Sequence, residues 1–171
     1  TTPQGGVVVA GDAGGGYNGV NVLPTLALAG AYNKSTYGGG YNGFILEFNT
    51  NYSLRWATFL GGSENRIRGI VIDTDNNLYV TAASGYSWPI VNLPGAYNQA
   101  VNGGSPDVGL AKFNRGRAQV WGTYFGGSGA DHPGPDYFTV AMTCKRRPIL
   151  AADRFKNIYL AGQAASIPVY D

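Results

Sequence analysis

The residues of this chain that could do acid–base chemistry lie around its single histidine. His132 stands between Asp131 and Asp136 in the segment DHPGPD. An imidazole beside a carboxylate can act as a general base, and Ser128 would complete a hydrolytic triad if the fold brought it close. One histidine is too few for an ordinary zinc site. We favour a proline-rich surface loop, and a polysaccharide-acting enzyme remains an alternative hypothesis.

Two further polar segments could hold a charged ligand. Lys145, Arg146 and Arg147 form a basic cluster that could contact an acidic protein, a phosphate or a sulfated sugar. Residues 73–77 (DTDNN) faintly resemble a calcium loop, but they lack the Gly and Glu that an EF-hand loop needs. Because Asp and Asn are favoured in strand-to-strand turns, we predict a turn there and no metal site.

The glycine runs do not predict a nucleotide site. Residues 14–16 (GGG) lack the Lys-Ser or Lys-Thr of a phosphate-binding loop and do not open a helix. Residues 37–43 (YGGGYNG) are interpreted as a loop in which Tyr37 and Tyr41 are exposed stacking groups. We therefore predict no cofactor and no catalytic residue.

The composition restricts the fold classes and the kinds of partner that this chain can have. Of 171 residues 27 are Gly, and charged residues make up 13%, about half the usual ~25%. This favours many short strands and turns over helices, because Gly and β-branched residues form helices poorly. A net charge of +2 is too small to indicate nucleic acid or an anionic membrane as partner. No apolar run approaches the ~18 residues of a membrane span.

Internal repeats indicate what the strands build. WATFLGGS at 56–63 returns as WGTYFGGS at 121–128, and GAYN at 30–33 returns at 95–98. In a looser series, LYVTA, IYLAG and VVVAG mark copies of one strand. The runs alternate with the period of two that half-buried strands require. Four short antiparallel strands per repeat predict an all-β fold made of β-propeller blades.

The repeats divide the chain into blades. We expect a partial blade at 1–60, a full blade at 61–127, an insertion at 128–147 and a partial blade at 148–171. A closed propeller needs about 4 to 8 blades, so we expect a longer parent chain, several assembled chains or an open stack. The start at Thr1 rather than Met suggests a mature or excised piece.

The repeat pattern resembles the bacterial β-propeller repeat family called SBBP over nearly the whole chain. The insertion and the extra residues near 13–22 depart from that pattern. The resemblance implies a secreted or surface-exposed bacterial propeller module, commonly part of a longer chain, with no shared catalytic residues. The residues that carry it are Asp73, Asn77, Tyr79, Val80, Thr81, Trp88, Pro89, Gly95, Ala96, Tyr97, Phe113, Asn114, Trp121, Thr123, Tyr124 and residues 126–128.

The repeated Trp-x-Thr-x-x-Gly-Gly-Ser motif is interpreted as structural. Residues two apart on a strand share a face, so Trp56 and Thr58 point the same way. We predict that the Trp packs between blades and that the Gly pair permits the exit to the next blade.

The long loops fall on one side of the predicted blades, which we call the long-loop face. It holds the loops at about 12–42 and 83–107 and the insertion, whereas the turns on the other side are short. Long loops on a rigid scaffold are where binding usually occurs. We therefore expect a protein or glycan partner at this face. The residues we expect to contact it are Tyr37, Tyr41, Trp88, His132, Lys145, Arg146 and Arg147.

The leading functional hypothesis is a non-catalytic extracellular β-propeller scaffold or binding module of a bacterial cell-surface or secretion-associated protein. The first alternative is a structural subunit of an extracellular polymer or filament, in which neighbouring chains complete the broken blades by strand addition. The polysaccharide-acting enzyme is the second.

Overall fold

The computed structural model describes residues 1–14, 23–36, 38–131 and 150–162. Within these ranges the protein is all-β, with nine strands and no helix, as the composition predicts. None of the described residues forms a helix that could cross a membrane. The strands are β1 (Val7–Gly14), β2 (Tyr41–Phe48), β3 (Leu54–Leu60), β4 (Asn65–Ile72), β5 (Leu78–Ser84), β6 (Asp107–Phe113), β7 (Gln119–Phe125), β8 (Leu150–Ala152) and β9 (Ile158–Leu160).

The strands form three antiparallel sheets in which each strand pairs with the next along the chain. The first sheet is β1-β2-β3, the central sheet is β4-β5-β6-β7 and the third sheet is β8-β9. This distribution of three, four and two strands among the described residues is the one the repeats predict. Strand β4 contacts β1 and β2 of the first sheet and β8 of the third, so consecutive sheets pack against one another.

Four of the connections between paired strands are tight turns, and each begins with an Asp or an Asn. Backbone hydrogen bonds close these turns, from Asn49 N to Ser53 O at 3.0 Å, Asp73 N to Asn77 O at 3.0 Å and Asn114 N to Ala118 O at 2.9 Å. The fourth residue of each turn adopts a left-handed conformation. These residues are Tyr52 (φ 64), Asn76 (φ 64), Arg117 (φ 67) and Lys156 (φ 70).

The core lies between the first and central sheets. Trp56 of β3 is fully buried, and its ring centroid lies 6.0 Å from that of Phe113 on β6. Ile45, Leu78 and Val80 are also fully buried in this cluster. The prediction that Trp56 packs between neighbouring sheets is therefore confirmed.

The tryptophans of the two repeats also anchor the long loops. Trp56 Nε1 donates to the carbonyl of Tyr32 at 3.0 Å, and Trp121 Nε1 donates to the carbonyl of Tyr97 at 2.9 Å. Both acceptors belong to the repeated Gly-Ala-Tyr-Asn segment. The indole of each repeat thus holds the loop that precedes it in the same repeat.

The threonines of the motif, two positions further along the same strands, hold the same loops. Thr58 Oγ1 accepts from Lys34 N at 2.8 Å, and Thr123 Oγ1 accepts from Gln99 N at 2.7 Å. Each loop also forms an isolated bridge to the outer strand, Leu26 to Ala57 and Val91 to Gly122. The loops thereby cover part of the edges of β3 and β7, which would otherwise be open to pairing with another chain.

Candidate interaction surface

The ends of three strands meet on the long-loop face. Strand β1 ends there at Gly14, which pairs with Tyr41 at the start of β2. Strand β4 begins beside them, and its Arg68 reaches Asp12 of β1. The structure thus brings together Asp12, Tyr41, Arg66 and Arg68, which we call the arginine–tyrosine cluster.

An arginine covers the ring of Tyr41. The guanidinium carbon of Arg66 lies 3.3 Å from the ring centroid, in the geometry of a cation–π contact. Tyr41 keeps 39% of its surface exposed. Opposite Tyr41, Gly14 leaves room for the ring, because a Cβ there would lie 3.1 Å from Tyr41 Cε1. Tyr41 is therefore held in place yet open to a partner.

The acidic member of the cluster is partly shielded from water. Arg68 NH1 lies 3.2 Å from Asp12 Oδ2, and about a quarter to a third of each side chain is exposed. Burial raises the pKa of Asp12 above its ordinary value, although Arg68 and Arg66 oppose that rise. Asp12 Oδ1 is buried and accepts no hydrogen bond from the part of the chain that the structure describes.

This arrangement suits a ligand that carries both an apolar surface and hydrogen-bonding oxygens. The exposed part of the Tyr41 side chain offers an apolar contact for a sugar or an aromatic side chain. Guanidinium groups offer paired donors to carboxylate or phosphate oxygens. These groups are suited to bind a ligand through hydrogen bonds and apolar contact.

Trp88 was expected on this face, and that expectation is wrong. The side chain is only 4% exposed, and its Nε1 donates to the carbonyl of Leu110 at 2.9 Å. The ring lies over Gly109, where a Cβ would come within 2.5 Å of Trp88 Cδ2. The Tyr124 hydroxyl accepts a hydrogen bond from Trp88 N at 3.0 Å. Trp88 fills the interior because glycine at 109 leaves room for its ring.

The other expected contact residues have different outcomes. Tyr41 is exposed as predicted, but it begins strand β2 and does not lie in a loop as expected. Tyr37, His132, Lys145, Arg146 and Arg147 lie outside the described residues, as does Asp136 of the hydrolytic hypothesis. Asp131 is described and is 1% exposed.

Sequence reasoning missed Asp12, Arg66 and Arg68. The sequence gives a weak indication of the two arginines as surface residues. Arg66 and Arg68 flank Ile67 in a segment that continues as the apolar run GIVI. Charged side chains at alternate positions of a strand indicate that one face of the strand end is not packed in the core.

The Asp73 turn on the opposite side is structural, as predicted. Asp73 Oδ1 accepts from the backbone of Asp75 and Asn77 at 2.9 Å each, and Oδ2 accepts from Asn77 Nδ2 and the Tyr79 hydroxyl. Burial favours a higher pKa for Asp73, but the bonds from Asn77, Asp75 and Tyr79 outweigh it and lower the pKa. Asp153 repeats the arrangement with Asn157 and Tyr159.

The side of the sheets that carries the short turns also has a surface depression. A shallow polar depression lies between the β4–β5 and β6–β7 turns, lined by Asp75, Asn77, Asn114, Arg115 and Gly116. In the part of the chain that the structure describes, no three His, Cys, Asp or Glu side chains gather as a metal site. The depression is therefore a polar surface that is open to solvent.

No protein-family model matches the chain, and a search of curated proteins finds no relative. The function must therefore be argued from the geometry of the two faces.

Proposed function

We propose that this chain is a non-catalytic β-propeller module that serves as a scaffold or binding platform in an extracellular bacterial surface or secretion-associated protein. The observation that carries the proposal is the repeated unit of sheet and loop. In both copies a Trp indole and a Thr hydroxyl, two positions apart on the outer strand, hold the preceding loop through equivalent bonds.

The packing of the sheets supports blades around a common axis. In a propeller the innermost strands of successive blades are neighbours. Strand β4, the first of the central sheet, contacts β8, which takes the same place in the third sheet. The resemblance of the repeat to the SBBP family supports the same architecture. The proposed extracellular, bacterial location rests on that resemblance.

The arginine–tyrosine cluster supports a binding role for the long-loop face. It joins an exposed ring to two guanidinium groups at the strand ends. A protein segment or glycan that presents carboxylates beside an apolar face fits this chemistry.

The test is a screen of the purified chain on arrays of glycans and of short peptides, followed by Tyr41→Ala. We expect capture of acidic glycans or acidic peptides, weakened at least about tenfold by the substitution. Tyr52→Ala is the matched control, since Tyr52 is 78% exposed in the β2–β3 turn on the other side. Equal weakening by both substitutions, or no capture at all, would contradict the proposal.

A second candidate is the structural subunit, and the third sheet favours it. Trp121 is half-buried, whereas its counterpart Trp56 is fully buried. An apolar cavity of about 140 Å³ lies beside Trp121, lined also by Tyr79, Leu110, Leu150 and Ile158 among others. A cavity of this size takes about one apolar side chain, which another polypeptide would supply. Mass photometry over a range of concentrations tests this candidate, which predicts assemblies of the chain; a monomer throughout contradicts it.

A further inference from the structure

Two carboxylates are buried together at the start of β6. Asp107 is 0% exposed and Asp131 is 1% exposed. Asp107 Oδ2 accepts from Gly103 N at 2.8 Å, and Asp131 Oδ2 accepts from Gly127 N at 2.6 Å. Among the residues that the structure describes, none donates a hydrogen bond to Asp107 Oδ1. A fully buried carboxylate oxygen without a partner is costly and calls for a cation or a proton.

The oxygens of these side chains converge. A Cβ on Gly126 would lie 2.9 Å from Asp107 Oδ1 and 2.8 Å from Asp131 Oδ2. The carbonyl oxygen of Gly129 lies against Gly104, where a Cβ would be 3.3 Å from Asp107 Oδ1. Three oxygens, one from the start of β6 and two from the segment 126–131, therefore surround one small region, and glycines at 104 and 126 keep side chains out of it.

The equivalent place in the first repeat is built from neutral amides. Asn42 stands where the second repeat has Asp107, and its side chain accepts from Gly38 N at 2.9 Å and donates to the carbonyl of Gly39 at 2.5 Å. Behind Gly61, the counterpart of Gly126, lies the Asn65 amide, 2.6 Å from where a Cβ would be. The Asn42 amide bonds to backbone groups through both its oxygen and its nitrogen. The Asn65 amide donates to backbone carbonyls and accepts from the Ser84 hydroxyl, so the first repeat needs no added charge.

The exchange of amides for carboxylates changes the electrostatics of the second repeat. Two carboxylates that face each other in a water-poor site repel, and a positive charge between them relieves the repulsion. Burial raises the pKa of Asp107 above its ordinary value, and the neighbouring Asp131 adds to the rise.

We propose that a calcium ion binds between Asp107 and Asp131. Calcium takes mixed sets of carboxylate, backbone carbonyl and water oxygens in flexible geometry, which suits two carboxylates beside the Gly129 carbonyl. The absence of nitrogen and sulfur ligands among these groups disfavours zinc. The ion would fasten the start of β6 to the segment 126–131 on the long-loop face. This inference stands independently of the proposed partner.

Isothermal titration of the chelator-treated full chain with calcium chloride at neutral pH tests the site. We expect saturable binding to one site and a higher unfolding temperature with calcium. Asp107→Asn should abolish both effects while the protein still folds, because it recreates the neutral arrangement of Asn42. Asp75→Asn is the matched control, since Asp75 is an exposed carboxylate of the β4–β5 turn, and it should behave like the unaltered chain.

Two results would overturn the proposal. One is the absence of saturable calcium binding by the folded, unaltered chain. The other is calcium binding that persists unchanged in both Asp107→Asn and Asp131→Asn, which would place the ion elsewhere.

Discussion

Arg117, in the turn between β6 and β7, forms a two-point ion pair with Glu47 of β2. Arg117 Nε lies 2.7 Å from Glu47 Oε2, and NH2 lies 2.9 Å from Oε1. Arg117 is 0% exposed and Glu47 is 4% exposed. The guanidinium also donates to the carbonyl and side chain of Asn76. A single side chain thus links the first sheet to two turns of the central sheet.

Glu47→Gln should destabilise the fold strongly, because it leaves the guanidinium of Arg117 buried without a carboxylate. Removing one partner of a buried pair costs about 3–5 kcal/mol. Urea unfolding measures the change in the free energy of unfolding. Arg115→Ala, at an exposed position two residues earlier, should stay within about 0.5 kcal/mol of the unaltered chain. A loss below about 1 kcal/mol for Glu47→Gln would mean that the pair does not hold the sheets together.

Truncating the two motif tryptophans should have unequal effects. Both indoles donate to a loop carbonyl, but Trp56 is fully buried against Phe113 whereas Trp121 is half-buried. Trp56→Ala should therefore cost about 3–5 kcal/mol of unfolding free energy, and Trp121→Ala clearly less. Denaturant unfolding of both variants checks this. Equal losses would show that loop anchoring, rather than packing between sheets, determines how much each tryptophan contributes to stability.

Asp73 should make the fold less stable in acid. Its pKa in the folded protein lies below the ordinary value of 3.8. The stability it contributes is therefore complete above that value and is lost as the pH falls through the lower, folded-state pKa. Asp73→Asn should remove this part of the acid dependence. Unfolding free energies measured from neutral pH down to about pH 3 for Asp73→Asn and Asp75→Asn check it. An unchanged acid slope in Asp73→Asn would contradict the role of the turn bonds.

The strands and the turns followed from the sequence because their causes are local. Period-two alternation, Asp and Asn at the turns, and the repeat of Trp-x-Thr fixed the sheets without knowledge of tertiary contacts. The place of Trp88 did not follow, because its burial depends on Gly109 lying beneath the ring in the folded sheet. Local sequence around a Trp-Pro pair in a loop does not reveal that contact.

The functional groups were harder to find because they come from distant parts of the chain. Glu47 and Arg117 are 70 residues apart, and Asp12 and Arg68 are 56 apart. Only the packing of one sheet on the next brings them together. The amide-to-carboxylate difference between Asn42 and Asp107 was visible in the repeat, but its meaning depends on Asp131 approaching the same region.

The most direct test of the binding role is hydrogen–deuterium exchange with and without the ligand that the array screen identifies. We predict slower exchange on binding in peptides that cover residues 38–44 and 63–70, where Tyr41 and Arg66 lie. Exchange in the turns at 49–53, 73–77 and 114–118 should not change. Protection confined to those turns would contradict the account, because the partner would then occupy the polar depression on the opposite side.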